Sequence, residues 1–189
     1  MDITKLIDTL LDSSTVEELS KKNNLDPKQV TQVASMGIPA LLGKLNQNAN
    51  NDKQKASLAK AIDDHSDDDV SDVLGFLKNI DLNDSQKMLG HIMGDDSQNV
   101  SSLISKKSGV KNTDVTSMLA MLAPLIMGFL GNKKKESTQS KSNDFDLGSL
   151  IGGLTQQAKQ SDKTESSILD MLGDSKGIMD LIGGFFNKK

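Results

Sequence analysis

The sequence lacks cysteine, tryptophan, tyrosine and arginine, and each absence excludes a class of site. Without cysteine, the chain has no disulfide, no thiolate metal ligand and no cysteine nucleophile. All 22 basic residues are lysines, so the bidentate guanidinium contacts that commonly bind phosphate and guanine are missing. Five phenylalanines remain as the large aromatic rings, which leaves few platforms on which nucleic-acid bases could stack.

The net charge and the absence of known motifs exclude further classes of function. The net charge of −4 argues against a general phosphate-binding surface. The first ten residues, MDITKLIDTL, mix acidic and apolar positions and lack the cationic and apolar regions of a signal peptide. No dinucleotide fingerprint, phosphate-binding loop or serine-hydrolase elbow occurs. We therefore expect a non-enzymatic cytoplasmic protein without a cofactor.

The chain is organised around one apolar run, MLAMLAPLIMGFLG at Met118–Gly131, which contains no charged residue. The run is shorter than the roughly 20 residues of a bilayer crossing, and its Met, Leu and Ala favour a helix over a strand. Because it is apolar on every face, we expect other helices to surround it. The run thus predicts an all-α fold with a buried central helix, kinked at Pro124.

Apolar residues at helical spacing predict further helices before this run. Capping residues suggest where several of them begin. The predicted helices are residues 2–12, a helix opened by a Ser14–Glu17 capping box, a helix from Asp26-Pro27 to about Asn48, residues 53–64, residues 69–78, a helix from Asn83 or Asp84 to Gly94, and residues 97–108.

Several residues recur at an offset of 85 positions. Pro39 matches Pro124, Gly43 matches Gly128, and Met36 matches Met121. The repeated unit is a short helix, a tight turn and a longer apolar helix. This pattern predicts a multihelical array built on a duplicated helical hairpin, in which the two long helices bury each other.

The C-terminal part differs in composition from the rest. We expect an all-α domain over 1–132, a polar flexible linker over 133–146 and short amphipathic helices over 147–189. The segments DLGSLIGGL (146–154) and GIMDLIGGF (177–185) share the motif LIGG. Their apolar residues form the predicted interaction surface, namely Leu150, Ile151, Leu154, Ile178, Leu181, Ile182, Phe185 and Phe186. Self-association, docking on the same chain and interfacial membrane binding stay open as uses of this surface.

The densest polar cluster is the acidic run Asp63–Asp72, which contains His65. Its carboxylates could converge on a divalent cation, or they could cap helices, where the macrodipole favours aspartate. We favour the capping interpretation and predict no metal site. His65 and His91 could pair as metal ligands or form a pH-sensitive contact, but local hydrogen bonds are the more common role.

Residues 15–36 have the pattern of a helix-turn-helix. The predicted outer face of its second helix carries Lys28, Gln29, Thr31, Gln32 and Ser35. A DNA-binding helix of this kind also needs phosphate contacts around it, and here only lysines are available. We favour a structural helical hairpin and keep weak nucleic-acid binding as the alternative.

Five motifs in chain order carry a family resemblance. They are LAKAIDDH (58–65), VSDVLGFL (70–77), MLGHIMG (88–94), ISKKSGV (104–110) and the central apolar run. Together they resemble the bacterial DUF937 family, which is related to YidB-like proteins. The resemblance covers about residues 1–132 and implies an all-α, multihelical bacterial domain, but no activity.

The resemblance also implies a C-terminal segment similar to a calcium loop, as family members often carry. The matching residues 173–177, GDSKG, keep a single acid and place a lysine where a ligand is needed, so we expect no bound calcium. The leading hypothesis is a protein-interaction or scaffolding module. Its partner would be another copy of the chain or an unidentified protein, whereas a nucleic acid or a membrane surface fits the composition less well.

Overall fold

The computed structural model describes residues 3–139, with side chains described over 7–136, and this part of the chain is helical without strands. The prediction of an all-α fold is therefore confirmed for this range. The helices are α1 (Ile3–Leu10), α2 (Ser13–Asn23), α3 (Pro27–Ala49), α4 (Asp52–Asp64), α5 (Val73–Asn79), α6 (Leu82–Met93), a 3-10 turn (Gly94–Asp96), α7 (Ser97–Ser108) and α8 (Asn112–Gln139).

Helix α8 is the centre of the fold, as the apolar run predicts. It contacts α2, α3, α4, α5, α6 and α7, and every residue of Met118–Gly131 is buried. The helix continues through Pro124. Since this helix has no face to present to water, its burial by the surrounding helices supplies the main apolar core.

Helix α8 is also long and apolar enough to cross a membrane when judged by length and composition alone. The helix is longer than the apolar run Met118–Gly131, because polar helical turns precede and follow the run. In this fold, 83% of its most apolar window is buried against the protein's own helices. That burial is typical of a core helix in a helical bundle.

Helix α3 is the second long core helix, and its beginning is the one predicted. The carboxylate of Asp26 accepts a hydrogen bond from the Gln29 N–H (3.0 Å), and the Gln29 side chain accepts one from the Asp26 N–H (3.1 Å). Near its C-terminal end, the buried Asn48 amide donates to the Ile92 carbonyl oxygen (2.9 Å). Both ends of α3 are thus fixed by side-chain hydrogen bonds.

Three other helices begin elsewhere than predicted. Asp12, and not Ser14, is the N-cap of α2, and Asp81, and not Asn83 or Asp84, is that of α6. Helix α5 begins at Val73, because the Asp72 carboxylate accepts from the Gly75 N–H (2.9 Å). Each position has several acidic or polar residues close together. The first candidate takes the cap at α2 and α6, whereas the last aspartate of the acidic run takes it at α5.

The predicted linker begins inside a helix. Helix α8 runs to Gln139, so residues 133–139 are helical although their composition predicts a flexible segment. Lysines in this turn form ion pairs with the chain around α4, as described below, and this tertiary contact outweighs the weak local preference. The rest of the predicted linker and the C-terminal segments, with all eight residues of the predicted interaction surface, lie outside the described residues.

The two hairpins α2–α3 and α7–α8 share several local features. The residue after each short helix, Asn24 and Gly109, has a left-handed backbone (φ 52° and 71°). The N–H of each donates to a serine carbonyl oxygen one turn back. Each long helix then begins three residues later and contains an internal proline.

Candidate functional site

The most distinctive polar region is the acidic loop, residues 65–72, which connects α4 to α5 across the C-terminal half of α8. Two glycines of α8 allow this crossing. A Cβ atom at Gly131 would lie 2.7 Å from the Ile62 carbonyl oxygen and 2.7 Å from the Ser66 Cα. A Cβ at Gly128 would lie 2.6 Å from a Val70 methyl carbon. The loop can therefore approach α8 this closely only because both positions lack a side chain.

Polar contacts hold the same loop to the end of α8. The Asn132 amide donates to the Asp68 carbonyl oxygen (3.0 Å). Lys135 forms an ion pair with Asp67 of the loop, and Lys134 forms one with Asp63 at the end of α4, just before the loop (2.6 Å). These side chains are at least partly exposed, so each ion pair by itself contributes little to the free energy of unfolding. Their main effect is to fix the position of this segment relative to α8.

The carboxylates of the acidic run are directed to separate local partners. Besides the pairs of Asp63 and Asp67 with α8, Asp64 pairs with Lys60, Asp68 with His65, Asp69 with Ser71 and Asp72 with the Gly75 N–H. Among the described residues, no three of the acidic and histidine side chains are grouped so as to hold a metal ion. One of these aspartates, Asp72, caps a helix, and the others form ion pairs or local hydrogen bonds. The absence of a bound metal stays a prediction.

Two of the carboxyl groups in this region have lowered pKa values. The hydroxyl and the N–H of Ser71 both donate to Asp69 and lower the pKa of its carboxyl. The hydrogen bond and charge of Lys133 lower the pKa of Glu136. Both side chains are exposed and, with a pKa below the ordinary value, each carries a negative charge near neutral pH.

The two histidines have different neighbours. His65 is partly buried, and its Nδ1 lies 2.7 Å from a carboxylate oxygen of Asp68. His91 is exposed, and its Nε2 lies 3.1 Å from the Ser57 hydroxyl oxygen. Both residues line one depression between α4 and α6, but their hydrogen-bonding partners differ. His65 has the local partner favoured from the sequence, whereas the partner of His91 is on another helix, 34 positions away.

A second feature, which we call the acidic groove, lies beside the loop. It is a depression of about 500 Å³ between the acidic loop, α5 and α6, with Pro124 of α8 at its base. Its apolar lining comes from Phe76, Ile80 and Met88. Five aspartates and one histidine also line it, namely Asp68, Asp69, Asp72, Asp81, Asp84 and His65. The lining of the acidic groove therefore combines apolar side chains with acidic ones.

The helix-turn-helix-like segment has a different surface. Lys28, Thr31 and Gln32 are exposed, while Gln29 and Ser35 are half-buried. Several of these polar groups bond to their own helix: the Thr31 hydroxyl donates to the Pro27 carbonyl oxygen (2.9 Å), and the Ser35 hydroxyl donates to that of Thr31 (2.5 Å). The other face of this helix, with Val30 and its neighbours, is buried as the hairpin interpretation predicts.

One buried charge could not be recognised from the sequence. Lys44 lies within the apolar part of α3, its side chain only 11% exposed, and forms an ion pair with Asp96 of the 3-10 turn. The Gln47 side chain accepts a second hydrogen bond from it (2.8 Å). Since Asp96 lies 52 positions away, only the interruption of an apolar stretch by a lysine could have drawn attention to this site.

The comparison with known protein families gives one result. A family model described as "Bacterial protein of unknown function (DUF937)" matches residues 5–133. The chain belongs to the DUF937 family. The match spans α1 to the polar end of α8, so it includes the acidic loop, both glycines and the acidic groove. The resemblance stated from the five motifs is thereby confirmed, and family membership assigns no activity.

The chain has no match among curated proteins and none among solved structures. Function must therefore be argued from the chain's own residues.

Proposed function

We propose that this DUF937 protein is a non-enzymatic protein-interaction or scaffolding module that self-associates through its C-terminal segments. The observation that carries the proposal is the separation of the chain into a well-buried helical core and a polar region followed by two LIGG-containing segments. The core uses its apolar residues internally. Among the large hydrophobic side chains described, Leu82 is the one that is highly exposed (46%).

The chemistry of the described residues agrees with a role in binding. The acidic side chains are used as helix caps and ion pairs, and the histidines contact Asp68 and Ser57. The acidic groove is an open depression of the kind that a peptide or side chain of a partner can fill. These features support recognition of a partner surface.

The proposed mechanism is burial of an amphipathic helix in a groove. Ile178, Leu181, Ile182 and Phe185 follow the i, i+3, i+4, i+7 spacing of one helical face. Glycines within both LIGG segments weaken an isolated helix, so binding would supply the packing that such a short segment needs.

Light scattering after size exclusion tests this proposal. The full chain is compared with a chain ending at Gln139, so that α8 is kept whole, and circular dichroism checks that both are helical. We expect the full chain to have at least twice the monomer mass and the shortened chain to have the monomer mass of its own length. Two monomers would refute self-association, and two oligomers would refute a role for the C-terminal segments.

We further propose that the fold arose from a duplicated hairpin, α2–α3 and α7–α8. The support is that the left-handed residues Asn24 and Gly109, and the helix-internal prolines Pro39 and Pro124, are each 85 positions apart. If the turns are equivalent, Gly109→Asn should be tolerated, whereas Gly109→Val should lower the free energy of unfolding by about 1–2 kcal/mol. Equal losses for both variants would contradict equivalent turns.

A further inference from the structure

The acidic groove is unusual because charge and apolar surface occur together in it. Its apolar lining residues are Pro124, Phe76, Ile80 and Met88. Its other lining residues are mostly aspartates, and no lysine lines this groove in the part of the chain described. Such a surface favours an occupant that offers apolar side chains next to positive charges.

The aspartates are already bonded locally, yet they keep their charge. Asp72 and Asp81 accept backbone N–H bonds as N-caps, and Asp69 accepts hydrogen bonds from Ser71. A carboxylate in such a cap is ionised and still has free lone pairs toward solvent. Asp84 is exposed, and the Lys87 ammonium lies 3.7 Å from it. The five aspartates thus give the lining an excess of acidic groups, to which positively charged side chains of an occupant would be complementary.

The chain itself contains a segment of the complementary kind. Residues 176–189, KGIMDLIGGFFNKK, carry three lysines and one aspartate around an apolar face. The adjacent Phe185 and Phe186 are followed closely by Lys188 and Lys189. By contrast, the equivalent fourteen residues around the other LIGG motif, FDLGSLIGGLTQQA at 145–158, carry one aspartate and no lysine. Charge therefore selects the last segment over the earlier one as an occupant of the acidic groove.

The dimensions agree with this occupant. A depression of about 500 Å³ is at the lower part of the range for ligand-binding clefts and accommodates a few large side chains, but not a whole helix. Phenylalanine side chains would pack beside Phe76 and Met88, while lysines next to them would reach the aspartates of the lining. The remainder of the segment would lie across the groove.

We propose that the acidic groove of one copy binds residues 176–189 of a second copy, with Phe185 and Phe186 against the apolar lining residues. The inference rests on the proposed self-association, which makes a second copy the source of the segment. Each copy offers one groove and one segment, so reciprocal binding closes a two-fold symmetric dimer. Because the complementarity is partly electrostatic, association should weaken as salt concentration rises.

Two full-length groove variants and one control test the proposal. Asp84→Lys reverses a charge in the lining of the groove, and Met88→Lys places a charge among its apolar lining residues. Asp95→Lys is the matched control, because it makes the same charge change in the 3-10 turn, outside the groove. Circular dichroism checks the fold of each variant, and the exposed Asp84 site keeps the test usable if Met88→Lys does not fold.

Sedimentation equilibrium gives the dissociation constant of each variant. We expect both groove variants to dissociate at least tenfold more readily than the unaltered chain and the control to stay within about twofold of it. If the groove variants associate as strongly as the unaltered chain, the groove assignment is overturned while self-association stands. If the unaltered chain is a monomer at every concentration, the proposed function itself fails.

A mixing experiment distinguishes a second copy from the same chain. A groove variant keeps its C-terminal segment, and a Phe185→Ser/Phe186→Ser variant keeps its groove. Each should be monomeric alone, whereas the mixture should form heterodimers through the one intact groove-and-segment pair. Binding within a single chain predicts that the mixture stays monomeric, and that result would overturn the proposal.

Discussion

The close contact between the acidic loop and α8 can be tested by adding a single methyl group. In Gly131→Ala the new Cβ would lie 2.7 Å from the Ile62 carbonyl oxygen and 2.8 Å from the Ser66 nitrogen. Both neighbours are backbone atoms, so the loop must move to relieve the overlap. Overpacking of this kind typically costs about 1–3 kcal/mol.

The helix itself responds in the opposite direction. Alanine is favoured over glycine within a helix by roughly 0.8–1 kcal/mol. Gly90→Ala in α6 is the matched control, because no atom lies within 4 Å of the position that its new methyl group would take. The helical gain is common to both variants, so the difference between their unfolding free energies isolates the steric effect, about 1–3 kcal/mol.

Thermal and urea unfolding followed by circular dichroism measure this difference. For a chain of this size, 1 kcal/mol corresponds to a shift in Tm of about 2–4 °C. We expect Gly90→Ala to raise the Tm and Gly131→Ala to have the lower Tm of the two by about 2–12 °C. If Gly131→Ala is as stable as Gly90→Ala, the loop does not pack on the glycines of α8 as described.

Gly37→Ala refines the same test. Its Cβ would lie 2.6 Å from a methyl carbon of Leu119, which is the end of a side chain and not backbone. A side chain can rotate away at lower cost than a loop can shift. We expect its unfolding free energy to fall between those of Gly90→Ala and Gly131→Ala, and a value below that of Gly131→Ala would contradict the argument from backbone rigidity.

Three further predictions concern the charged groups. Asp96→Ala should lower the free energy of unfolding by about 1–3 kcal/mol, because it leaves the more buried charge, that of Lys44, without its ion-pair partner. Lys44→Met should lower it by less, because it removes that buried charge. The reverse order in urea unfolding would refute this. Ser71→Ala should raise the lowered pKa of Asp69 toward 3.8 in a carboxyl NMR titration, and an unchanged value would show that Ser71 is not its cause. A carboxyl whose pKa is lowered by folding stabilises the folded state at pH values above its ordinary pKa. The stability contributed by Asp69 should therefore be lost as the pH falls below about 3.8 and passes through the lower pKa of the folded state. Less stability should be lost in Ser71→Ala, because the pKa of Asp69 is then closer to 3.8. Calorimetry with calcium, magnesium and manganese should show no heat at micromolar metal, and a saturable signal there would contradict the capping role of the acidic run.

The parts of the fold that follow from the sequence are those with a strong local pattern. The apolar run of α8 has no polar face, so burial on all sides is the one stable arrangement for it. The Asp26–Gln29 capping box is a local structure of four residues and needs no tertiary information. Where several aspartates compete within a few residues, as at Asp81 and Asp84, the differences in capping energy are too small to choose among them.

The features that could not be predicted depend on residues distant in the chain. In the sequence, Gly128 and Gly131 only interrupt an apolar helix. The structure shows that the acidic loop packs directly against them, which the sequence does not indicate. The extension of α8 to Gln139 depends on pairs such as Lys134 with Asp63, which no local preference encodes. The acidic groove is likewise lined by residues of α5, α6 and α8. Because these helices are separate in the sequence, its apolar lining does not form a sequence motif.

The central claim is self-association through the C-terminal segments, and sedimentation equilibrium of the full chain over a wide concentration range tests it most directly. We predict that the mass rises from the monomer value of 20.3 kDa to twice that value, and that Phe185→Ser/Phe186→Ser holds it at the monomer value. A full chain that stays at the monomer mass at every concentration would contradict this claim.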